Sequence, residues 1–124
     1  MHQRQILGRQ GEALAATHLA DAGYVILHRN WRATGVGVPG ELDIVARRGR
    51  TLAVCEVKTR RSRWAGSPAE AVGWDKRRRL RRLTDLYLQT HPHPGPVRGD
   101  VITVDVAAEV ADDTTVLTHL RGVW

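Results

Sequence analysis

The chain has 124 residues and a formal net charge of +6, from 19 Lys and Arg against 13 Asp and Glu. This length favours one domain over residues 1–124 and excludes a large multidomain enzyme. Only Lys58 and Lys76 are lysines, so arginine carries the positive charge. Arginine presents a planar set of donors that matches phosphate, which favours a nucleic-acid partner, although an ordinary solvated surface can have the same composition.

The sequence contains no membrane-spanning or secretory pattern. No apolar run approaches the roughly 20 residues that cross a bilayer, and the first residues lack a continuous apolar stretch. The single cysteine, Cys55, cannot form an internal disulfide. These features predict a cytoplasmic protein with no membrane partner.

Hydrophobic periodicity and turn residues predict an α/β chain with the element order α-β-β-β-α-β-β. The predicted elements are a helix over 6–22, a strand over 24–31, two strands over 41–47 and 51–59 with Arg48-Gly49 as their hairpin turn, a helix over 68–90, and two strands over 100–107 and 114–120. The segment between the last two strands, 109–113, is acidic.

The predicted hairpin carries acidic residues inside its strands, which is uncommon because strand propensity disfavours Asp and Glu. The Arg48-Gly49 turn would place Asp43 opposite Val54 and Glu41 opposite Glu56. Asp43 and Glu56 would then be diagonal neighbours roughly 7–8 Å apart, on the same face as Lys58. A register shift of one residue would move Asp43 to the other face.

Two carboxylates and a lysine on adjacent strands suit metal-assisted hydrolysis of a phosphodiester. Carboxylate oxygens are ligands that Mg²⁺ prefers, and a nearby lysine can orient the attacking water or stabilise charge in the transition state. The alternative is a salt-bridged hairpin that faces solvent, since charged strand faces are common in antiparallel sheets.

The second predicted helix contains six cations in the seven residues 76–82. At about 100° per residue, Lys76 falls in the middle of the apolar stripe formed by Val72, Leu80 and Leu83. A lysine on that face must find an anion there, and the hairpin carboxylates and a substrate phosphate are both candidates. The alternative is a lysine whose stem covers the core while its ammonium reaches solvent.

Several residues near the proposed site are predicted to bind nucleic acid, the cations through phosphate and one tryptophan through base stacking. They are Arg60, Arg61, Arg63, Trp64, Lys76, Arg77 and Arg79. A plain solvated face is the alternative for the arginines.

Three motifs resemble those of the YraN-like family of small uncharacterised bacterial proteins. They are Gly8-Arg-Gln-Gly-Glu-Ala13, Gly40-Glu-Leu-Asp43 and Cys55-Glu-Val-Lys-Thr-Arg60. That family is similar to the PD-(D/E)xK nuclease superfamily, and to the archaeal Holliday-junction resolvases in particular. The resemblance implies a restriction-endonuclease-like core, with a mixed central sheet flanked by helices.

The resemblance also implies roles for individual residues. Glu12, Asp43 and Glu56 would be catalytic residues that hold Mg²⁺ or Mn²⁺, and Lys58 would be the catalytic lysine. Lys76 matches a basic position in the family's second helix. Gly99 departs from the bulkier residue that often precedes the family's next aspartate, which leaves the role of Asp100 open.

The function implied is a metal-dependent endonuclease, with DNA preferred to RNA and with branched or damaged DNA as candidate substrates. One alternative is a non-catalytic nucleic-acid-binding module that keeps the nuclease fold. Another is a partner-binding scaffold in which the acids are structural. Many junction-cutting relatives are dimers, which leaves a homodimer open.

Overall fold

A computed structural model of the protein describes residues 3–61, 66–106 and 115–124. The elements in chain order are α1 (Gln3–Asp21), β1 (Val25–Trp31), β2 (Leu42–Arg48), β3 (Thr51–Arg60), a 3₁₀ turn (Pro68–Ala71), α2 (Trp74–Thr90), β4 (Val97–Asp105) and β5 (Val116–Leu120). The predicted α/β class and element order are therefore confirmed. In the described part of the chain, neither helix is long and apolar enough to cross a membrane.

The strands form one five-stranded mixed sheet in the order β1-β2-β3-β4-β5. Strands β3 and β4 are parallel, and the other neighbouring pairs are antiparallel. A parallel pair needs a crossover connection, which the segment containing α2 supplies. A mixed sheet flanked by two helices is compatible with the restriction-endonuclease-like core that the resemblance implies.

The two helices cover opposite faces of the sheet, and each buries its own apolar cluster. Ala15 and Leu19 of α1 pack against alternate residues of β3, including Ala53 and Cys55. Leu80, Leu83 and Tyr87 of α2 pack on the other face, against Val45, Leu52, Val54 and Val101. The strand period of two therefore decides which helix each β3 side chain meets.

The predicted hairpin turn is wrong by one position. Arg48 pairs with Thr51, so Gly49 and Arg50 form the turn. Gly49 has a φ of 59° and takes the first turn position, where type II′ hairpins need glycine. Val45 consequently pairs with Val54, and Asp43 does not lie opposite that residue as predicted. Because the pairing moves by two residues, every side chain keeps its predicted face.

The predicted helix over 68–90 is interrupted. Val72 and Gly73 are extended and separate the 3₁₀ turn from α2. The break lets Val72 enter the core, where it is almost completely buried. The Arg77 guanidinium bridges the break by donating to the carbonyls of Val72 and Ala69, at 2.9 Å each.

The last two strands also differ from their predicted bounds. β4 begins at Val97, three residues earlier than predicted, because it pairs in parallel with β3 from Leu52 onward. β5 begins at Val116. The predicted strand ends at 107 and 114 and the acidic segment 109–113 lie outside the described residues.

Asp100 has a structural role on the α1 face of the sheet. Its carboxylate is fully buried and accepts two hydrogen bonds from Arg98, at 2.8 and 2.9 Å. His119 of β5 and the backbone N–H of Gly122 also donate to it, at 2.8 and 3.1 Å. Burial opposes ionisation, but these hydrogen bonds lower the pKa of Asp100 below its ordinary value. Asp100 therefore ties the C-terminal segment to β4.

Gly11 allows α1 to approach the sheet closely. A Cβ at this position would overlap the hydroxyl of Thr59 on β3. One turn earlier, a Cβ at Gly8 would meet no atom within 4 Å. Of these two glycines, therefore, only Gly11 is required by the packing of α1 against β3.

These glycines give a matched pair of substitutions. Gly8→Ala should raise the free energy of unfolding by up to about 1 kcal/mol, because alanine favours the helix. Gly11→Ala should instead lower it by about 1–3 kcal/mol, because the helix must move away from Thr59. Urea unfolding of both variants checks this. Equal stabilisation by the two substitutions would contradict the close approach.

Candidate functional site

Asp43 and Glu56 lie side by side on the face of the sheet that carries α2. The β2–β3 ladder pairs Ile44 with Cys55, and one further step in that register places Asp43 opposite Glu56. The two side chains are only 7% and 5% exposed. They are direct neighbours across the ladder, not the diagonal pair at roughly 7–8 Å that the sequence predicted.

The position of Asp43 is set by the backbone of the neighbouring strand. Its Oδ2 accepts the N–H of Val57 at 2.8 Å. Burial is the main cause that raises the pKa of Asp43, to about 8, and the charge of Glu56 adds to it. The Val57 hydrogen bond acts in the opposite direction, and Glu12 contributes further repulsion. Asp43 therefore holds a proton at neutral pH unless a cation replaces it.

Lys76 of α2 supplies the nearest positive charge. Its Nζ lies 2.5 Å from Oε1 of Glu56. The prediction that this lysine finds an anion on the apolar face of its helix is confirmed, with a site carboxylate as the anion. Lys76 is partly exposed whereas Glu56 is buried, so the ion pair closes the side of the pocket that faces α2.

Two more glutamates join Asp43 at the end of the sheet. Glu12 comes from α1 and Glu41 from the residue before β2. One carboxylate oxygen from each of Glu12, Glu41 and Asp43 lies within 4.8 Å of the other two. We call Glu12, Glu41, Asp43 and Glu56 the acidic centre.

Asn30 holds two members of the acidic centre together. Its side-chain amide donates to Glu12 at 3.1 Å and to Glu41 at 3.0 Å. Asn30 is the last residue but one of β1 and has a φ of 52°. Asparagine adopts this left-handed conformation more readily than most residues, which explains why it suits a strand end that must aim its amide at two carboxylates.

The sequence does not predict Asn30 as a site residue, and it groups Glu41 with the other acids without naming it as a metal ligand. Strand alternation placed Glu41 on the face of Asp43, but gave no reason to separate it from an ordinary exposed acid. Arg32 pairs with Glu41 at 3.1 Å from the exposed side, which is consistent with either role. Asn30 carried no local signal, because its two partners are 18 and 11 residues away along the chain.

Lys58 lies two residues beyond Glu56 on β3 and therefore on the same face. It is exposed, and with the described residues it makes no ion pair. It lines an open pocket of about 720 Å³, whose other lining residues include Glu12, Thr59 and Arg61. Lys58 is therefore accessible to a ligand in that pocket, which residues of α1 also line.

The acidic centre is reached through three neighbouring pockets. Glu12 lines the pocket of Lys58 and a second pocket of about 430 Å³, which it shares with Asn30 and Glu41. The third pocket, of about 310 Å³, contains Asp43 and Glu56 and is bounded by Gly40, Glu41, Lys76, Arg79, Leu80 and Leu83. The buried carboxyl groups of Asp43 and Glu56 therefore line a pocket between β2, β3 and α2.

The geometry of the acidic centre fits a hard divalent cation. Ligand oxygens at about 2.0–2.6 Å from one ion are separated by at most roughly 4–5 Å, which matches the spacing of Glu12, Glu41 and Asp43. All the donors are carboxylate oxygens, which suit Mg²⁺ and Mn²⁺. Of the predicted ligands, Glu12 and Asp43 belong to this group, and Glu56 adjoins it through Asp43.

The residues predicted to bind nucleic acid occupy different environments. Arg60 is buried, with hydrogen bonds to both carboxylate oxygens of Asp105 at 2.7 and 3.0 Å. Arg77 bridges the helix break described above, and Lys76 pairs with Glu56. Arg61 and Arg79 are exposed and line pockets beside the acidic centre. Arg63 and Trp64 lie outside the described residues.

Fold and site together define the class of the protein: a small α/β protein whose mixed sheet carries a largely buried acidic centre at one end. The sequence matches UPF0102, described as an uncharacterised protein family, over residues 11–104. The chain belongs to the UPF0102 family, which confirms the resemblance to YraN-like proteins.

Bacterial relatives match over nearly the whole chain. A UPF0102 protein of Streptomyces coelicolor is 48% identical over 125 aligned positions, covering 99% of this chain and 92% of the relative. One from Frankia alni is 50% identical and covers 100% and 98%. One from Kineococcus radiotolerans is 49% identical and covers 97% and 94%.

The raised pKa of Asp43 predicts a pH-dependent stability. The folded state keeps a proton that the unfolded state loses above the ordinary value of 3.8. The free energy of unfolding should therefore fall as the pH rises from about 4 to about 8, by at most about 1.4 kcal/mol per pH unit. Asp43→Asn should flatten this slope, because the amide does not ionise.

Urea unfolding between pH 4 and pH 9 without divalent ions measures the slope. Asp85→Asn is the matched control, since it removes an exposed acid of α2. The control should keep the wild-type slope. An unchanged slope in Asp43→Asn would show that Asp43 does not carry the proton.

Proposed function

We propose that the protein is a metal-dependent nuclease that hydrolyses phosphodiester bonds in nucleic acid, DNA in preference to RNA. The observation that carries the proposal is the acidic centre, where three carboxylate oxygens lie within 4.8 Å of one another beside a buried pair of carboxyl groups. Such crowding of acids is costly without a cation. A protein that only bound phosphate would gain nothing from it, because these acids repel phosphate.

The residues that would hold Mg²⁺ or Mn²⁺ are Glu12, Glu41 and Asp43, with Glu56 beside them. A divalent ion bound there offsets phosphate charge and lowers the pKa of water. Asp43 would have to release its proton to become a ligand. Asn30 keeps Glu12 and Glu41 close together, which reduces the rearrangement that binding requires.

Lys58 is placed to act on the substrate. Lys58 is exposed and lines the pocket that it shares with Glu12, and with the described residues it has no carboxylate partner. In phosphodiester hydrolysis a water oxygen attacks phosphorus, the bond to the leaving sugar oxygen breaks, and that oxygen takes up a proton. Lys58 would stabilise the negative charge that develops on the phosphate oxygens during this step.

Lys76 would have a different part in the reaction. It is paired with Glu56, so it offsets one negative charge while the acidic centre lacks a cation. Because its side chain is 40% exposed, it can turn toward a substrate phosphate when a cation takes over its partner. Lys76 therefore lies between the acidic centre and the arginines of α2.

Cleavage assays test the proposal with single-stranded, duplex and four-way-junction DNA in the presence of Mg²⁺ or Mn²⁺. The wild type should cleave at least one of these substrates. Asp43→Asn and Lys58→Ala should each lower the rate by roughly 100-fold or more, while binding to DNA is retained. Asp85→Asn should cleave at the wild-type rate.

The outcome also separates the two functions that the fold allows. Binding of DNA without cleavage of any substrate, equal in the wild type and in Asp43→Asn, would reject the nuclease and favour a binding module.

A further inference from the structure

The outer surface of α2 combines an exposed tryptophan with unpaired arginines. Trp74 is 71% exposed, and the guanidinium of Arg78 lies 5.2 Å from the centroid of its ring. Arg81 and Arg82 are also exposed. Within the described part of the chain, none of these three arginines has a carboxylate partner. We call Trp74, Arg78, Arg81 and Arg82 the outer face of α2.

A solvated basic surface would not need the indole. Tryptophan is a large apolar residue that is mostly buried in folded proteins, and here it lies on the helix side opposite the core residues Leu80 and Leu83. A flat aromatic ring beside arginine side chains is the arrangement on which nucleic-acid bases stack while phosphates are neutralised. The outer face therefore has the chemistry of a nucleic-acid binding surface.

The outer face connects with the acidic centre around the helix. With Arg78 at 0°, the period of 100° per residue places Arg82 at about 40°, Arg79 at about 100° and Lys76 at about 160°. Arg79 lines the pocket of Asp43, and Lys76 contacts Glu56. These cations therefore form one path around the helix, from the solvent side to the acidic centre. Its length is roughly 17 Å, which is half the circumference of a helix with its side chains.

Two features favour a single strand over a duplex as the occupant of this path. The carboxyl groups of Asp43 and Glu56 are 7% and 5% exposed, at the base of a pocket of about 310 Å³. A flexible single strand can enter such a space more easily than a rigid double helix. Stacking on Trp74 also requires a base that is free of its neighbours.

We propose that the outer face of α2 binds single-stranded nucleic acid, with a base stacked on Trp74 and phosphates on its arginines, and directs the strand past Arg79 to the acidic centre. The inference rests on the proposed function for the end of this path. From the sequence, Trp64 is preferred to Trp74 as the stacking tryptophan, and the arginines of this helix are either phosphate contacts or a plain solvated face.

Fluorescence anisotropy with a labelled 20-nucleotide DNA strand, and with the duplex of the same sequence, tests the proposal in EDTA, where metal-dependent cleavage cannot occur. The wild type should bind the single strand more tightly. Trp74→Ala should weaken single-strand binding about 5- to 150-fold and change duplex binding less than twofold. Trp74→Phe should restore most of the affinity, because an aromatic ring remains.

The arginines are tested in the same assay. Arg78→Ala combined with Arg82→Ala should weaken binding and reduce the slope of log affinity against log salt by about 1.4, since each phosphate contact contributes about 0.7 on a single strand. Arg47→Ala is the control, because it removes an exposed arginine that belongs to β2 and not to α2. It should leave the affinity of the single strand close to the wild-type value.

Three results would overturn the proposal: unchanged single-strand affinity in Trp74→Ala, tighter binding of the duplex by the wild type, or an equal loss in Arg47→Ala. Because Trp74 is exposed, its variants should keep the wild-type melting temperature. A protein that binds single strands through Trp74 but cleaves nothing would support this binding surface and refute the nuclease. If cleavage is lost in Asp43→Asn while Trp74→Ala binds single strands as the wild type does, the nuclease is supported and this binding surface is refuted.

Discussion

The acidic centre depends on one electrostatic constraint, the burial of the Asp43 and Glu56 carboxyl groups side by side. Two ionised carboxylates in contact and out of water repel each other and lose hydration. The raised pKa of Asp43 favours its neutral form, and the ammonium of Lys76 pairs with Glu56. A divalent cation could replace the proton of Asp43, so the cation site that we propose would relieve the same constraint that destabilises the fold.

The surrounding fold is arranged to maintain this constraint. Gly11 brings α1 close to β3, and the next residue, Glu12, approaches Asp43 from that helix. The N–H of Val57 anchors Asp43, and Asn30 joins Glu12 to Glu41. These contacts hold four acidic side chains in one small volume, although burying apolar side chains there would be more stabilising. Such a concentration of strain and charge is typical of a functional site.

The buried carboxylate of Asp100 is paired very differently from that of Asp43 in the same chain. Every oxygen of Asp100 is hydrogen-bonded, and Arg98 neutralises its charge within the α1 layer. Its pKa is lowered, whereas that of Asp43 is raised. The contrast separates an acid whose surroundings favour the charged form from one whose surroundings oppose it.

Periodicity was sufficient to predict the element order, the shared face of Asp43 and Glu56, and the inward position of Lys76. These features depend on spacing along one strand or helix, and they survive a register error of two residues. The register itself depended on whether Gly49 took the first or second turn position, which the dipeptide does not determine. The role of Asn30 could not be predicted, because it depends on contacts with Glu12 and Glu41, which are distant from it in the sequence.

The constraint can be tested directly by titrating Mn²⁺ into the protein at pH 6.5 in two buffers of different ionisation enthalpy. Calorimetry then gives the number of ions bound and the number of protons released. We expect one ion at the acidic centre and release of about one proton, because Asp43 with a pKa of about 8 is protonated at that pH. Absence of Mn²⁺ binding would contradict the account. So would Mn²⁺ binding that releases no proton and is equally tight in Asp43→Asn.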